Sequence, residues 1–261
     1  MTVTQDEKEP EMTVTSTPIE QVPPLDRGEA ATLAAVENAR MVELMRSLRP
    51  GEWSKATDCP AWDVRAMASH VLGGMEAFAT LPQFIHQMRA AKKAAGDGPF
   101  IDGMTAVQVR DRTHLTPEEV VERLAEVGPR VARSRQRVPT LFRRMPMKEE
   151  VGGVEETWRM GYLLDVILTR DTWMHRVDIA RATGHTLELT PGHDGRLIAD
   201  VVAEWARRHG RPFTLTLEGP AGGVFTSGVG GEAIALDAVE FCRILSGRGA
   251  GTGLLTHEVP F

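Results

Sequence analysis

The chain has 261 residues, enough for one large domain or two small ones, and its 42% apolar content is that of a protein with a buried core. Aromatic residues make up only 5%, so Ala, Val and Leu carry most of the apolar load, which favours helix-on-helix packing over an all-β sandwich. The formal net charge of −6 argues against a general nucleic-acid binder, which presents a basic face.

Residues 1–27 are rich in Thr, Glu and Pro and are expected to form a disordered tail. From Gly28 to Leu48 apolar residues recur at three- and four-residue spacing, a helix that Pro50-Gly51 ends. A dense loop, Trp53 to Trp62, leads to Asp63, a good N-cap for a helix with the stripe Val64, Met67, Ala68, Val71 and Leu72. His70 sits at the margin of that stripe. A less regular helical stretch spans Pro82 to Ala95. Thr116-Pro117-Glu118-Glu119 is a strong helix start, with a cap, a proline at the first position and a glutamate three residues on. That helix is expected to run to about Arg144. After a Gly-Gly turn, Glu156 to Thr183 reads as a further long helix, capped by Gly184. Asp194 to Arg208 is amphipathic and helical. Phe213 to Glu218 alternates like a strand, Val224 to Ser227 lies among Gly-rich turns, and Ile234 to Leu236 reads as another short strand. Asp237 caps a last short helix. The fold expected is mainly α: a helical bundle over 28–185, then a smaller α+β domain over 186–261.

The two cysteines, Cys59 and Cys242, stand far apart in no metal-binding spacing, which fits a reducing cytoplasm. No apolar run approaches the roughly 18 residues that span a bilayer, and the N-terminus has no secretory pattern. A soluble, cytoplasmic protein is expected. The pairs Arg143-Arg144 and Arg207-Arg208 read as solvated helix faces.

Asp171 and His175 lie four residues apart, so their side chains share one helix face and can chelate one ion or simply hydrogen-bond. Val166, Ile167, Trp173, Met174, Val177 and Ile179 make that helix apolar nearly all round, the pattern of a buried helix. Buried charges must be paired or bind a metal. His70 adds a third candidate ligand from another helix, although spacing alone does not bring it to the other two.

The segment Trp53 … Thr57-Asp-Cys-Pro-Ala-Trp-Asp-Val-Arg … His70 closely resembles the N-terminal motif of the mycothiol-dependent maleylpyruvate isomerase family. Asp171, His175 and Asp178 match its second motif, and Asp237 to Arg248 resembles its C-terminal domain. The resemblance, which runs from about residue 30 to 261, implies a DinB-like four-helix bundle followed by a small α+β domain. It implies His70, Asp171 and His175 as ligands of a divalent metal, zinc by analogy, with Fe(II), Ni(II) and Mn(II) compatible with the same donors. It also implies mycothiol as co-substrate and Arg248 as a residue presented to the active site, where it would grip a substrate carboxylate. An exposed Arg248 favouring a helix C-terminus is the alternative. The chain departs from the family pattern at Asp171, where the isomerases carry Glu, and at Met67, where they carry Leu.

Two imidazoles and one carboxylate leave coordination positions open, the pattern of a catalytic metal. The function expected is therefore a metal- and thiol-dependent S-transferase or cis-trans isomerase acting on a small electrophile. A non-enzymatic metal-binding regulator of the same fold and a metal-dependent hydrolase are the alternatives. Asp178 either orients a ligand imidazole or pairs with Arg176 or Arg181. Trp53, Trp62 and Trp173 line the pocket or fill the core. Cys59 belongs to a tight turn, and His86, His114, His185, His193, His209 and His257 are expected on the surface or in loops.

Overall fold

The computed structural model describes residues 16–261. Helix α1 (Arg27–Ser47) begins where the Asp26 carboxylate accepts the N–H groups of Gly28 and Glu29. Asp63 caps α2 (Val64–Ala79) in the same way, through the N–H of Ala66. Helices α3 (Leu81–Ala95) and α4 (Phe100–Arg110) form a hairpin packed on α2. The reciprocal Thr116–Glu119 capping box starts α5 (Pro117–Arg137), as expected from its sequence. Pro139 separates α5 from the single turn α6 (Thr140–Arg143). Strands β2 (Pro146–Val151) and β3 (Val154–Arg159) form an antiparallel hairpin. The chain then enters α7 (Met160–Tyr162), widens to π geometry over Leu163–Ile167, and continues as α8 (Leu168–Thr183). Gly184 ends α8 with φ of 77°, a left-handed conformation open to glycine.

Helices α1, α2, α5 and α8 make the bundle. Its interior holds Met41, Met45, Met67, Leu72, Val120, Leu124 and Ile179. The rest of the chain supplies α9 (Arg196–His209), strands β4 (Phe213–Glu218), β5 (Gly223–Ser227) and β6 (Glu232–Asp237), and α10 (Ala238–Leu245). Strand β4 runs antiparallel to β5 and parallel to β6. Trp205 of α9 packs edge-on against Phe213 and Phe241 at 4.8 and 5.4 Å between ring centroids. Trp173, Met174 and Val177 of α8 belong to this second core. Helix α8 is therefore packed on both sides, which explains a sequence apolar nearly all round. The protein is mainly α, a helical bundle with a small α+β region. No helix among the described residues is long and apolar enough to cross a membrane.

Three expectations need correction, and one helix was not foreseen. Residues 17–26 do not belong to a disordered tail: β1 (Thr17–Pro18) pairs in parallel with β5, and Ile19, Val22 and Leu25 pack on the second core. The remainder of that tail, residues 1–15, lies outside the described residues. Residues 156–159 are strand rather than helix, because the Gly152-Gly153 turn closes a hairpin. Helix α5 stops at Arg137 because Val138 precedes a proline and is extended. Helix α4 was not legible, since Gly103 interrupts its apolar pattern. The glycine is required there, because a Cβ would collide with the carbonyl oxygen of Ala91 on α3.

Buried charge ties these parts together. Arg176 of α8 donates to both carboxylate oxygens of Glu37 on α1 and to Asp194 ahead of α9. His193, expected at the surface, is buried and bonds the same Glu37 at 2.8 Å. Arg170 spans Glu204 and Asp200 of α9. Replacing Arg176 by Met removes the cation that bridges Glu37 and Asp194, leaving them only His193 and Arg40, and urea unfolding is expected to show a loss of about 3 kcal/mol. Burial works against the charge on Asp194, but the Thr190 N–H, the Trp173 indole N–H, Arg176 and Arg40 hold its carboxyl down at about 2. Its contribution is complete above the ordinary carboxylate pKa and is lost as pH falls through about 2, so Tm is expected to drop from about pH 4 downwards, less steeply in Asp194→Asn.

Candidate metal centre

Helix α2 presents His70 and α8 presents Asp171 and His175, one turn apart. The Asp171 Oδ1 lies 3.4 Å from His70 Nε2 and 3.2 Å from His175 Nε2. The two imidazoles meet edge to face, with ring centroids 5.0 Å apart. The three side chains expected as ligands thus converge, each offering one donor atom within 4.8 Å of the others. Donors about 2.0–2.2 Å from a tetrahedral zinc stand about 3.4 Å from each other, close to the two separations observed. The residues present therefore suit a divalent ion. The shorter Asp171 carboxylate still reaches both imidazoles from its own helix.

The surroundings divide sharply by role. His175 Nδ1 lies 3.3 Å from Asp178 Oδ2, a wholly buried acceptor. That partner favours a proton on Nδ1, which would leave Nε2 free to coordinate once a metal displaced its own proton. Asp178 does not pair with Arg176 or Arg181, which are held by Glu37 and Asp194 and by Asp58. Its partner is Arg248, whose Nε lies 2.9 Å from Oδ1 and whose Nη2 lies 2.8 Å from Oδ2. Arg248 follows α10 and is largely buried, so it is not the exposed helix-end residue of the alternative reading. Burial works against the guanidinium charge, but Asp178 raises its pKa above the ordinary value. Arg243 of α10 approaches the same carboxylate at 3.7 Å while bonding Asp58 and Glu240.

Trp62 covers the pair of imidazoles, with its ring 4.8 Å from His70 and 5.9 Å from His175. Trp53 and Trp173 are core residues. Cys59 sits in the tight turn read from its sequence: its carbonyl accepts the Trp62 N–H, and its own N–H reaches Thr57 Oγ1. Its Sγ is 3.9 Å from Arg248 Nη2, and burial pushes the thiol up. Burial opposes ionisation of Asp171, yet His175 and His70 hold its carboxyl well below the ordinary value. Its side chain keeps 28% of its exposure, so a ligand has access.

A second group of possible donors, Glu37, His193 and Asp194, is wholly buried. Its carboxylates are already engaged by Arg176 and Arg40, which leaves no room in the charge balance for a cation. Of the three tryptophans read as lining the pocket or filling the core, Trp62 is the one at the site.

The Asp178–Arg248 contact is testable by a double-mutant cycle. Asp178→Asn is expected to destabilise the protein by about 3 kcal/mol, because it strands a buried guanidinium. Arg248→Met is expected to cost little more in that background, giving a coupling of about 2 kcal/mol. Additive effects in urea unfolding would contradict the contact.

Among curated proteins, none matches the chain. Its overall architecture is similar to that of a mycothiol-dependent maleylpyruvate isomerase, at 16% identity over 90% of this chain and 93% of that one, with a TM-score of 0.54. A histidine-to-alanine mutant of that enzyme matches equally well, at 15% identity and a TM-score of 0.54. At such identity the likeness concerns the fold. The mycothiol maleylpyruvate isomerase N-terminal domain model matches residues 34–180, more than half of the chain, and the protein therefore belongs to that family.

Proposed function

We propose that the protein is a metal- and thiol-dependent enzyme, with mycothiol as the thiol, that acts on a small electrophile as an isomerase or an S-transferase. The observation that carries this reading is the convergence of His70 Nε2, Asp171 Oδ1 and His175 Nε2 at one accessible point. His70, Asp171 and His175 would hold a divalent metal with positions to spare, and such an ion would supply deprotonation of a bound thiol at neutral pH, where a free thiol is only a few per cent ionised. Family membership favours mycothiol as that thiol.

The chain's own residues perform the remaining work. Asp178 accepts the Nδ1 proton of His175 and so holds the ring in the tautomer that offers Nε2. Arg248 keeps Asp178 ionised, and its Nη1 makes no hydrogen bond among the described residues, leaving one donor for an anionic group. Trp62 shields the imidazoles from water on one side. In an isomerase the thiol sulfur adds to one carbon of a conjugated double bond, and the electron pair moves to the substrate carbonyl. Rotation about the new single bond and loss of the thiol then give the other geometric isomer. In a transferase the carbon–sulfur bond persists, and the electron pair either departs with a leaving group such as chloride or is taken up by a proton from solvent. The complete donor set, Asp178 and Arg248 favour an enzyme over a binding-only regulator.

The test is conjugation of mycothiol with monochlorobimane, followed by fluorescence, and conversion of maleylpyruvate, followed by absorbance. Metal-loaded protein is expected to accelerate at least one of them, and chelation of the metal is expected to abolish it. Asp178→Asn is expected to lower kcat by roughly 10–100-fold, the usual effect of removing the partner of a ligating imidazole. Absence of thiol-dependent turnover in both assays would contradict the proposal.

A further inference from the structure

The turn from Thr57 to Trp62 carries the ring that covers the two imidazoles, and it is closed on itself. The Trp62 carbonyl accepts from both the N–H and the hydroxyl of Thr57, at 3.3 and 2.8 Å, and the Trp62 N–H returns to the Cys59 carbonyl at 2.9 Å. At the base of the turn, Ala56 and Asp63 form an isolated antiparallel bridge that hands the chain to α2. These bonds make the turn one piece hinged at that bridge. Whatever holds its tip therefore also places the Trp62 ring, 4.8 Å from His70 and 5.9 Å from His175. Pro60 and Ala61, at the tip, are exposed and supply little packing.

One carboxylate ties the tip down. Asp58 Oδ2 lies 2.6 Å from Arg243 Nη1 of α10 and 3.5 Å from Arg181 Nε of α8. The two ties differ in weight. The Arg181 side chain keeps 53% of its exposure, so solvent screens it from Asp58 and the pair contributes little. The Arg243 side chain keeps only 6%. Its Nε donates to Glu240, its Nη1 to Asp58, and the Asp178 carboxylate stands 3.7 Å away. A guanidinium already oriented in this way gives up little freedom in holding one more carboxylate, and the bond is charge-assisted. Cys59 adds only a thiol 3.9 Å from Arg248 Nη2, a weak contact.

The geometry points to Arg243 as a positioning residue of the site: through Asp58 it seats the Thr57–Trp62 turn, and the turn holds the Trp62 ring over His70 and His175. The α+β region then governs how closed the site is, besides orienting His175 through Arg248 and Asp178. This deepens the proposed function, and only its kinetic consequence rests on that reading. When seating falls from nearly all molecules to about half, amide exchange in the turn rises at least tenfold, because exchange reports the open fraction. Apparent substrate affinity falls about twofold, because binding reports the seated fraction, and turnover of what is bound is kept.

The test uses Asp58→Asn in the full chain with no metal added. Arg243 keeps Glu240 and Asp178 in this variant, so no buried cation is stranded, and Tm is expected to stay within about 4 °C of wild type. Hydrogen exchange over residues 57–62 is expected to rise at least tenfold, with exchange in α8 unchanged. Acrylamide quenching of tryptophan fluorescence is expected to increase, and the increase to vanish when Trp62→Phe is added. Asp58→Glu, which keeps the charge, is expected to restore most of the protection. Arg243→Gln is expected to loosen the turn as Asp58→Asn does, and the double variant to loosen it no further. In the zinc-loaded chain, Asp58→Asn is expected to raise KM for mycothiol at least twofold with kcat little changed. Unchanged exchange and quenching in Asp58→Asn overturn the inference, and so does an unchanged KM once the turn has loosened. A larger fall in Tm with faster exchange throughout the chain also overturns it, since that marks a general structural ion pair. Absence of thiol-dependent turnover in wild type would contradict the proposed function, and exchange and quenching would still decide the placement of Trp62.

Discussion

Asp178 is the carboxylate on which the site depends. It is fully buried on α8, where an isolated charge would be untenable. Arg248, from the segment after α10, supplies the cation, and His175 Nδ1 takes up the remaining acceptor capacity. One group thereby fastens the C-terminal segment to the bundle and fixes the tautomer of an imidazole in the candidate centre. The α+β region is part of the site's construction for this reason, and not an appendage beside it.

Helix α8 extends the same logic along its length. Arg170 is balanced by Asp200 and Glu204, Arg176 by Glu37 and Asp194, and Asp178 by Arg248. Each pairing joins α8 to a different element, so the buried charges set its position while Trp173, Met174 and Val177 fill the spaces between. Asp171 is the exception. Its neighbours are two imidazoles, which are neutral ligands when a metal is bound, and it remains accessible. A cation there would complete the charge pattern of the helix.

Much of this was legible in the sequence, for definite reasons. Helix starts at Asp63 and Thr116 follow from side chains that reach orphan N–H groups, and the end at Gly184 follows from a left-handed residue. The strands at Phe213 and Ile234 follow from alternation. The pair Asp171 and His175 follows from helical spacing, but His70 joined it only through the resemblance, since two helices 100 residues apart carry no local signal of contact. The contact of Asp178 with a candidate ligand imidazole was anticipated, but its arginine partner was misjudged because nearby arginines on its own helix were weighed and a distant one was not. Strand β1 escaped because its two residues pair with β5, more than 200 positions away.

The central claim, that His70, Asp171 and His175 jointly hold one divalent metal, is tested most directly by elemental analysis after equilibrium dialysis against limiting zinc. Wild type is expected to retain about one ion per chain, and His70→Ala, Asp171→Ala and His175→Ala each to lose it while keeping their helical circular-dichroism signal. Stoichiometric metal in all three variants, or none in wild type, would contradict the account.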